Sequence, residues 1–209
     1  MIKYYRNRLA QFPAERRFLM MNEQDMKRFE EKCISSELVY DGKVMRVFRD
    51  VISLPDGSEG FREYARHMGA VAVLPLTDDG DVICVRQYRY AHGCMLLEIP
   101  AGKLDSPDED HAEAALRELR EETGARCKSL THLGLYRATV AILDEKIDLY
   151  LAEGLTFGET DLDEDEFLEV ERIPLAKMLE MVMSGEITDG KTQVAVMKTC
   201  EILRQRAAH

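Results

Sequence analysis

Residues 102–125, GKLDSPDEDHAEAALRELREETGA, constrain the fold of this chain more than any other stretch. Ala112, Ala115, Leu116, Leu119 and Thr123 stand at i, i+3, i+4, i+7 and i+11, the spacing of an amphipathic helix that buries one stripe against a sheet. Gly124 follows in the place of a left-handed C-cap. Ser106 to Glu109 and Asp110 to Glu113 both have the form of a capping box at the helix start. Since each residue turns a helix by about 100°, Glu118, Glu121 and Glu122 fall within an arc of roughly 100° beside the stripe. Arg117 and Arg120 fall on the other flank. Like charges at this spacing repel one another. Two readings follow: a solvated helix laced with pairs such as Arg117 with Glu121, or carboxylates gathered around a cation. For the second, an all-oxygen donor set fits Mg²⁺ or Mn²⁺ and argues against zinc.

The order of the residues decides between them. Glu109, and then after seven residues Arg117-Glu118-Leu119-Arg120-Glu121-Glu122-Thr123-Gly124-Ala125, resembles the signature of the Nudix hydrolases, Gly-x5-Glu-x7-Arg-Glu-U-x-Glu-Glu-x-Gly-U with U bulky and apolar. Two departures stand out: Gly102 and Glu109 enclose six residues instead of five, and Ala125 is small for its position. The resemblance covers roughly residues 36 to 205. It places the helix start at Asp110, leaving Glu109 in the preceding loop. The fold it implies is α/β, a Nudix α/β/α sandwich with a small N-terminal antiparallel sheet.

That resemblance also implies a chemistry, the hydrolysis of a nucleoside diphosphate linked to a further group X, with Mg²⁺ or Mn²⁺ as cofactor. Glu118, Glu121 and Glu122 match the metal-binding positions, joined by the backbone carbonyl of Ala101. Arg117 matches the residue that orients a glutamate from behind. Glu109 would stabilise the loop or add a ligand, and Glu98 is a further candidate at the substrate end. The runs HMGAVAVLPL, VRQYR, LLEIPAGKLD and LDEDEFLEVERIPL resemble the ADP-ribose pyrophosphatase branch, which yields AMP and ribose 5-phosphate. On that basis Arg89 contacts phosphate, Arg62 and Glu63 contact the adenosine end, and Glu145 lies near the substrate. Glu164, with Glu166 as the alternative, is the general base. Residues 137–143, RATVAIL, lack the proline or glycine the branch carries there, which leaves open another X: an ADP-sugar, NADH or a dinucleoside polyphosphate. A ligand sensor without activity is the rival from a different class; the complete glutamate set opposes it.

Composition sets outer limits. The formal net charge of −11 opposes a nucleic-acid surface, which needs a basic footprint. The five cysteines, Cys33, Cys84, Cys94, Cys127 and Cys200, lack paired spacing and read as reduced thiols of a cytoplasmic protein. No run reaches the length of a membrane span, and the basic start has neither the apolar core nor the cleavage site of a signal peptide.

Along the chain, residues 1–35 read as a charged leader interrupted by Pro13, with one helix from Asn22 to Cys33. Residues 36–67 alternate as half-exposed strands around a turn at Pro55-Asp56-Gly57, and the branch pairs two subunits through such a sheet. On the resemblance, residues 68–209 are expected to hold the Nudix domain. There, two apolar strands flank a hairpin at Asp78-Asp79-Gly80, and short strands lie near 96–100, 131–137, 146–152 and 167–173. Pro174 opens a helix ending before Gly185, and the last helix, from about Lys191, carries Val194, Met197, Cys200 and Leu203.

Overall fold

In the computed structural model, which describes residues 27–162 and 167–208, the chain divides after Ala65 into two units. The first is an antiparallel sheet of β1 (Lys32–Asp41), β2 (Arg46–Ser53) and β3 (Glu59–Arg66), in that order across the sheet. Its second turn forms as the sequence predicts. Leu54 N–H donates to the Ser58 carbonyl at 2.8 Å, the Asp56 carboxylate accepts from Ser58, and Gly57 takes a φ of 86° that other residues avoid. The expected helix from Asn22 to Cys33 is corrected at its C-terminal end, where Cys33 lies in β1 opposite Ile52. Pairing with β2 satisfies the backbone of Lys32 to Ser36, which an isolated helix would leave to water. Asn22 itself lies outside the described residues.

The second unit contains β4 (Ala70–Leu76), β5 (Asp81–Arg89), β6 (Cys94–Glu98), β7 (Ala101–Lys103), α1 (His111–Thr123), β8 (Ala125–Arg126), β9 (Ser129–Tyr136) and β10 (Ile147–Glu153). It continues with β11 (Thr156–Phe157), β12 (Leu168–Pro174), α2 (Leu175–Ser184) and α3 (Gly190–Arg206). Seven strands form one mixed sheet, ordered β12-β5-β4-β10-β9, with β6 on β5 and β7 on β4. Only β4 and β10 run parallel. Alternation along the central strands sorts the core into layers. Val71, Val73, Tyr150 and Ala152 meet Ala115 and Leu119 of α1 on one face. Ala72, Leu74, Leu149 and Leu151 meet Met178, Ala195 and Val196 of α2 and α3 on the other. The unit is thus an α/β/α sandwich.

One irregularity of this sheet creates the site. β4 and β5 leave their hairpin paired only at Leu76 and Val82, and then part. Residues 94–103 fill the gap, β6 pairing with β5 and β7 with β4, while Val73 N–H holds the Pro100 carbonyl at the crossing. Pro100 suits this place because it has no N–H to offer a strand on its other side. The fork leaves Glu98 at the end of one branch and Ala101 at the start of the other.

Two of the packed helices, α1 and α3, are rotated from their sequence patterns. In α1 the buried residues are Ala114, Ala115, Glu118, Leu119, Glu122 and Thr123, whereas Ala112 and Leu116 are only partly covered. In α3 they are Lys191, Thr192, Ala195, Val196 and Thr199, with Met197 exposed. A pattern reading ranks Met above Thr and Leu above Glu for burial; small side chains let α3 approach the sheet, and the α1 glutamates find polar partners under the fork.

Candidate active site

The N-cap and C-cap of α1 fix where its glutamates stand. Asp110 accepts from the N–H groups of Ala112 at 2.9 Å and Glu113 at 3.1 Å, and Gly124, at φ 67°, returns its N–H to the Arg120 carbonyl. Between those ends, β7 runs directly over the helix. Gly102 passes so close that a Cβ there would overlap the Glu118 carboxylate. Beside it Ala101 N–H donates to Glu122 Oε2 at 3.2 Å. Glu122 is 1% exposed and Glu118 7%.

Arg117 ties the carboxylates together. Its Nη1 donates to Glu118 at 2.7 Å and Glu121 at 3.1 Å, its Nη2 to the Lys103 carbonyl at 3.2 Å, and its Nε to Glu109 at 3.4 Å. Burial opposes the charge, but the Glu118 carboxylate and its neighbours outweigh that and hold the guanidinium above its ordinary value. Glu109 accepts the Asp105 N–H at 2.6 Å, which with Arg117 keeps its carboxyl below the usual range. The additional residue in the 102–109 loop therefore does not take Glu109 away from the helix.

A second cluster sits at the tip of the fork. Arg89 Nε and Nη2 grip Glu98 at 2.6 and 2.7 Å, and Lys191 Nζ pairs with the same carboxylate. Glu98 is 1% exposed. Burial alone would raise its pKa; the Arg89 fork and Lys191 reverse this and hold it below the usual carboxylate range. Arg89, Glu98, Ala101, Glu118, Glu121 and Glu145 line a common cavity of about 870 Å³. Glu145 approaches His67 Nδ1 at 3.7 Å, and its neighbour Asp144 accepts the His67 N–H at 2.7 Å.

The remaining candidates belong to the first unit or fall outside the described residues. Arg62 and Glu63 lie on β3 of the first unit, paired there with Glu31 and Arg49. Glu164 and Glu166 lie outside the described residues; the loop leading to them is anchored by Asp161 N–H on the Glu121 carbonyl at 2.9 Å. The donor chemistry around Ala101 and α1, carboxylate and carbonyl oxygen without cysteine or histidine, fits a hard divalent cation. Among the described residues no three acidic, histidine or cysteine side chains already converge into a cation cage; the Arg117 guanidinium lies between Glu118 and Glu121 instead.

Residues 66–191 match the NUDIX domain, and residues 31–65 match the nucleoside diphosphate sugar hydrolase N-terminal domain. The chain belongs to the Nudix hydrolases. It is 42% identical over 173 residues to the ADP-ribose pyrophosphatase of Bacillus subtilis (strain 168), a match spanning 82% of this chain and 93% of that one. It is 41% identical over 172 residues to the methanol dehydrogenase activator of Bacillus methanolicus, spanning 81% and 92%. A crystal structure of an ADP compounds hydrolase superposes with a TM-score of 0.75 at 25% identity, covering 85% of this chain and 96% of that one.

In this Nudix hydrolase the cavity wall also includes Tyr136, Asp189 and Lys191, which the signature does not contain and the sequence reading left out. The short run Asp189-Gly190-Lys191-Thr192 at a helix start was the available signal. The charge cluster has a consequence for stability. Glu98→Gln leaves two cations on a neutral amide and is expected to cost roughly 3 kcal/mol at pH 7. Because the folded pKa lies below the unfolded one, the carboxylate's contribution is complete above about pH 4.5 and is lost as pH falls through the folded value. Thermal unfolding of wild type and variant should therefore differ most at neutral pH and converge in acid; a gap independent of pH would contradict this assignment.

Proposed function

We propose that the chain hydrolyses the pyrophosphate of ADP-ribose to AMP and ribose 5-phosphate with Mg²⁺, or Mn²⁺ in its place. The observation that carries the substrate is the 42% identity to the Bacillus subtilis ADP-ribose pyrophosphatase over 93% of that protein. Glu118, Glu121, Glu122 and the Ala101 carbonyl would hold the cation, which supplies positive charge to the pyrophosphate oxygens and helps activate water. The protein's own residues do the rest. Arg117 aligns Glu118 and Glu121, Glu109 steadies Arg117, and Arg89 binds a phosphate oxygen with the part of its guanidinium that Glu98 leaves over. Glu145 faces the substrate across the cavity, and Arg62 and Glu63 serve the adenosine end. Glu164, or Glu166 beside it, accepts the proton of the water attacking phosphorus.

Arg89→Ala is expected to raise KM roughly tenfold or more with kcat little changed, and Glu164→Gln to lower kcat with KM held. Steady-state kinetics on ADP-ribose, followed by AMP release, checks both. An unchanged KM in the first or an unchanged kcat in the second removes that residue from its role. The choice of X is most open to revision at residues 137–143, because Ala138 lines the cavity and the loop carries no proline or glycine.

We further infer a homodimer built on the first unit. All ten residues of β1 are exposed, including Ile34, Leu38, Val39 and Tyr40, on an edge strand. Long apolar edges invite pairing with another chain. Sedimentation equilibrium should give twice the monomer mass of 23.9 kDa, and Leu38→Asp with Tyr40→Asp should shift it towards monomer; a wild-type monomer excludes the reading. Cytoplasmic residence suits the five unpaired cysteines. Among the described residues no helix is long and apolar enough to cross a membrane.

A further inference from the structure

Lys191 is a buried cation in a place where a cation is unfavourable. Its side chain is 10% exposed, and it stands in the first turn of α3, whose N-terminal dipole repels positive charge. Glu98 Oε2 and Asp189 Oδ1, the latter at 3.1 Å, compensate it. Asp189 also caps the helix, accepting from Thr192 N–H at 3.0 Å and from its hydroxyl at 2.5 Å, and that hydroxyl accepts the Ile99 N–H at 2.9 Å. Residues 189–192 thus hold the Glu98 side chain and the backbone just after it, across a separation of 93 residues. The helix does not need Lys191 for anchorage. Thr192, Ala195 and Val196 already bury against the sheet, and a buried ion pair is weak as a stabilising device compared with apolar packing.

The charge balance explains the residue better. Glu98 and Asp189 face Arg89 and Lys191 along the same cavity wall, two of each sign. Among the described residues Arg89 makes hydrogen bonds only through Nε and Nη2, both to Glu98, so Nη1 is left for a ligand. Without Lys191 the Arg89 guanidinium would be the cation for two carboxylates, and Glu98 Oε2, which accepts from both Arg89 Nη2 and Lys191 Nζ, would lose the second of its two donors.

We propose that Lys191 is a positioning residue for substrate binding: by occupying Glu98 Oε2 and Asp189 it fixes the Glu98 fork, so that Arg89 presents its remaining N–H edge to a phosphate oxygen. This rests on the reading of Arg89 as a phosphate contact. Lys191 acts through Arg89 and does not itself touch the substrate.

The test compares Lys191→Met, Lys191→Gln and Lys191→Arg with wild type on ADP-ribose and Mg²⁺, alone and in an Arg89→Ala background. Expected for Lys191→Met is a KM raised roughly tenfold with kcat within about threefold, largely rescued in Lys191→Arg. In the Arg89→Ala background the same change should add less than about twofold, since the two act as one unit. Lys191→Gln keeps a donor for Glu98 and serves if the methionine variant fails to fold; its KM should rise by roughly threefold or more. The proposal is overturned by an unchanged KM in the folded variants, or by effects of Lys191 and Arg89 that multiply, which would mean a direct contact. An NMR readout without substrate separates this from the enzymatic assignment: the Arg89 Nε–H resonance should shift and broaden in Lys191→Met. If wild type proves inactive on ADP-ribose while that resonance moves, the substrate reading fails and the positioning survives; an unmoved resonance overturns the positioning.

Discussion

Glu122→Gln is expected to lower turnover by roughly a hundred- to a thousand-fold, the scale seen when one group stabilising transition-state charge is removed. The variant should stay folded. Glu122 is 1% exposed and accepts the Ala101 N–H at 3.2 Å, and a glutamine fills the same volume and can turn its oxygen to that N–H. What disappears is a negative charge beneath the fork, where the low exposure of Glu118 and Glu122 makes charge count for more than in water. Measured kcat at saturating Mg²⁺, together with a thermal melt, separates the two effects. Near-normal kcat would take Glu122 out of the site; a collapsed melt would make it a structural acid.

Gly102→Ala should be almost as damaging for a steric reason. Gly102 does not lie in the left-handed region of backbone space, so its requirement is room and not conformation. A Cβ there would overlap the Glu118 carboxylate, whose Oε1 is held by Arg117 Nη1 at 2.7 Å. Glu118 is the flexible end of a long side chain and can swing aside, so the fold should survive with a loss of roughly 1–3 kcal/mol. Swinging aside takes it from Arg117 and from the cation position, and activity should fall roughly a hundredfold. Unfolding midpoint and kcat for the alanine variant check this; wild-type values of both would show that β7 does not lie over α1 so closely.

The parts of this architecture that local rules govern were legible in the chain. Asp110 and Gly124 bound α1 because a carboxylate suits an open helix N-terminus and glycine a left-handed cap. Pro174 and Gly185 bound α2 for related reasons. The paired apolar runs became β4 and β5 around Gly80, whose φ is 84°. What failed involved groups whose partners are distant in sequence. Hydrophobic spacing aimed α1 about one residue away from its true buried face, because Glu118 and Glu122 are buried through polar contacts that no apolar pattern expresses. In α3 it picked out Val194, Met197, Cys200 and Leu203, whereas Met197 is exposed and Thr192 and Thr199 are buried. The fork between β4 and β5 could not be read from either strand, since it is made by residues 94–103 entering between them. Lys191 escaped because a lone lysine at a helix start gains meaning only from Glu98, 93 residues earlier.

The most direct test of the central claim is hydrolysis of a small panel, ADP-ribose, ADP-glucose, NADH and diadenosine polyphosphate, with and without Mg²⁺ and with Glu122→Gln as the blank. The expected result is Mg²⁺-dependent cleavage fastest on ADP-ribose, releasing AMP, and near silence from the variant. Cleavage that survives Glu122→Gln, or a wild-type protein that leaves the whole panel intact in Mg²⁺, would contradict it.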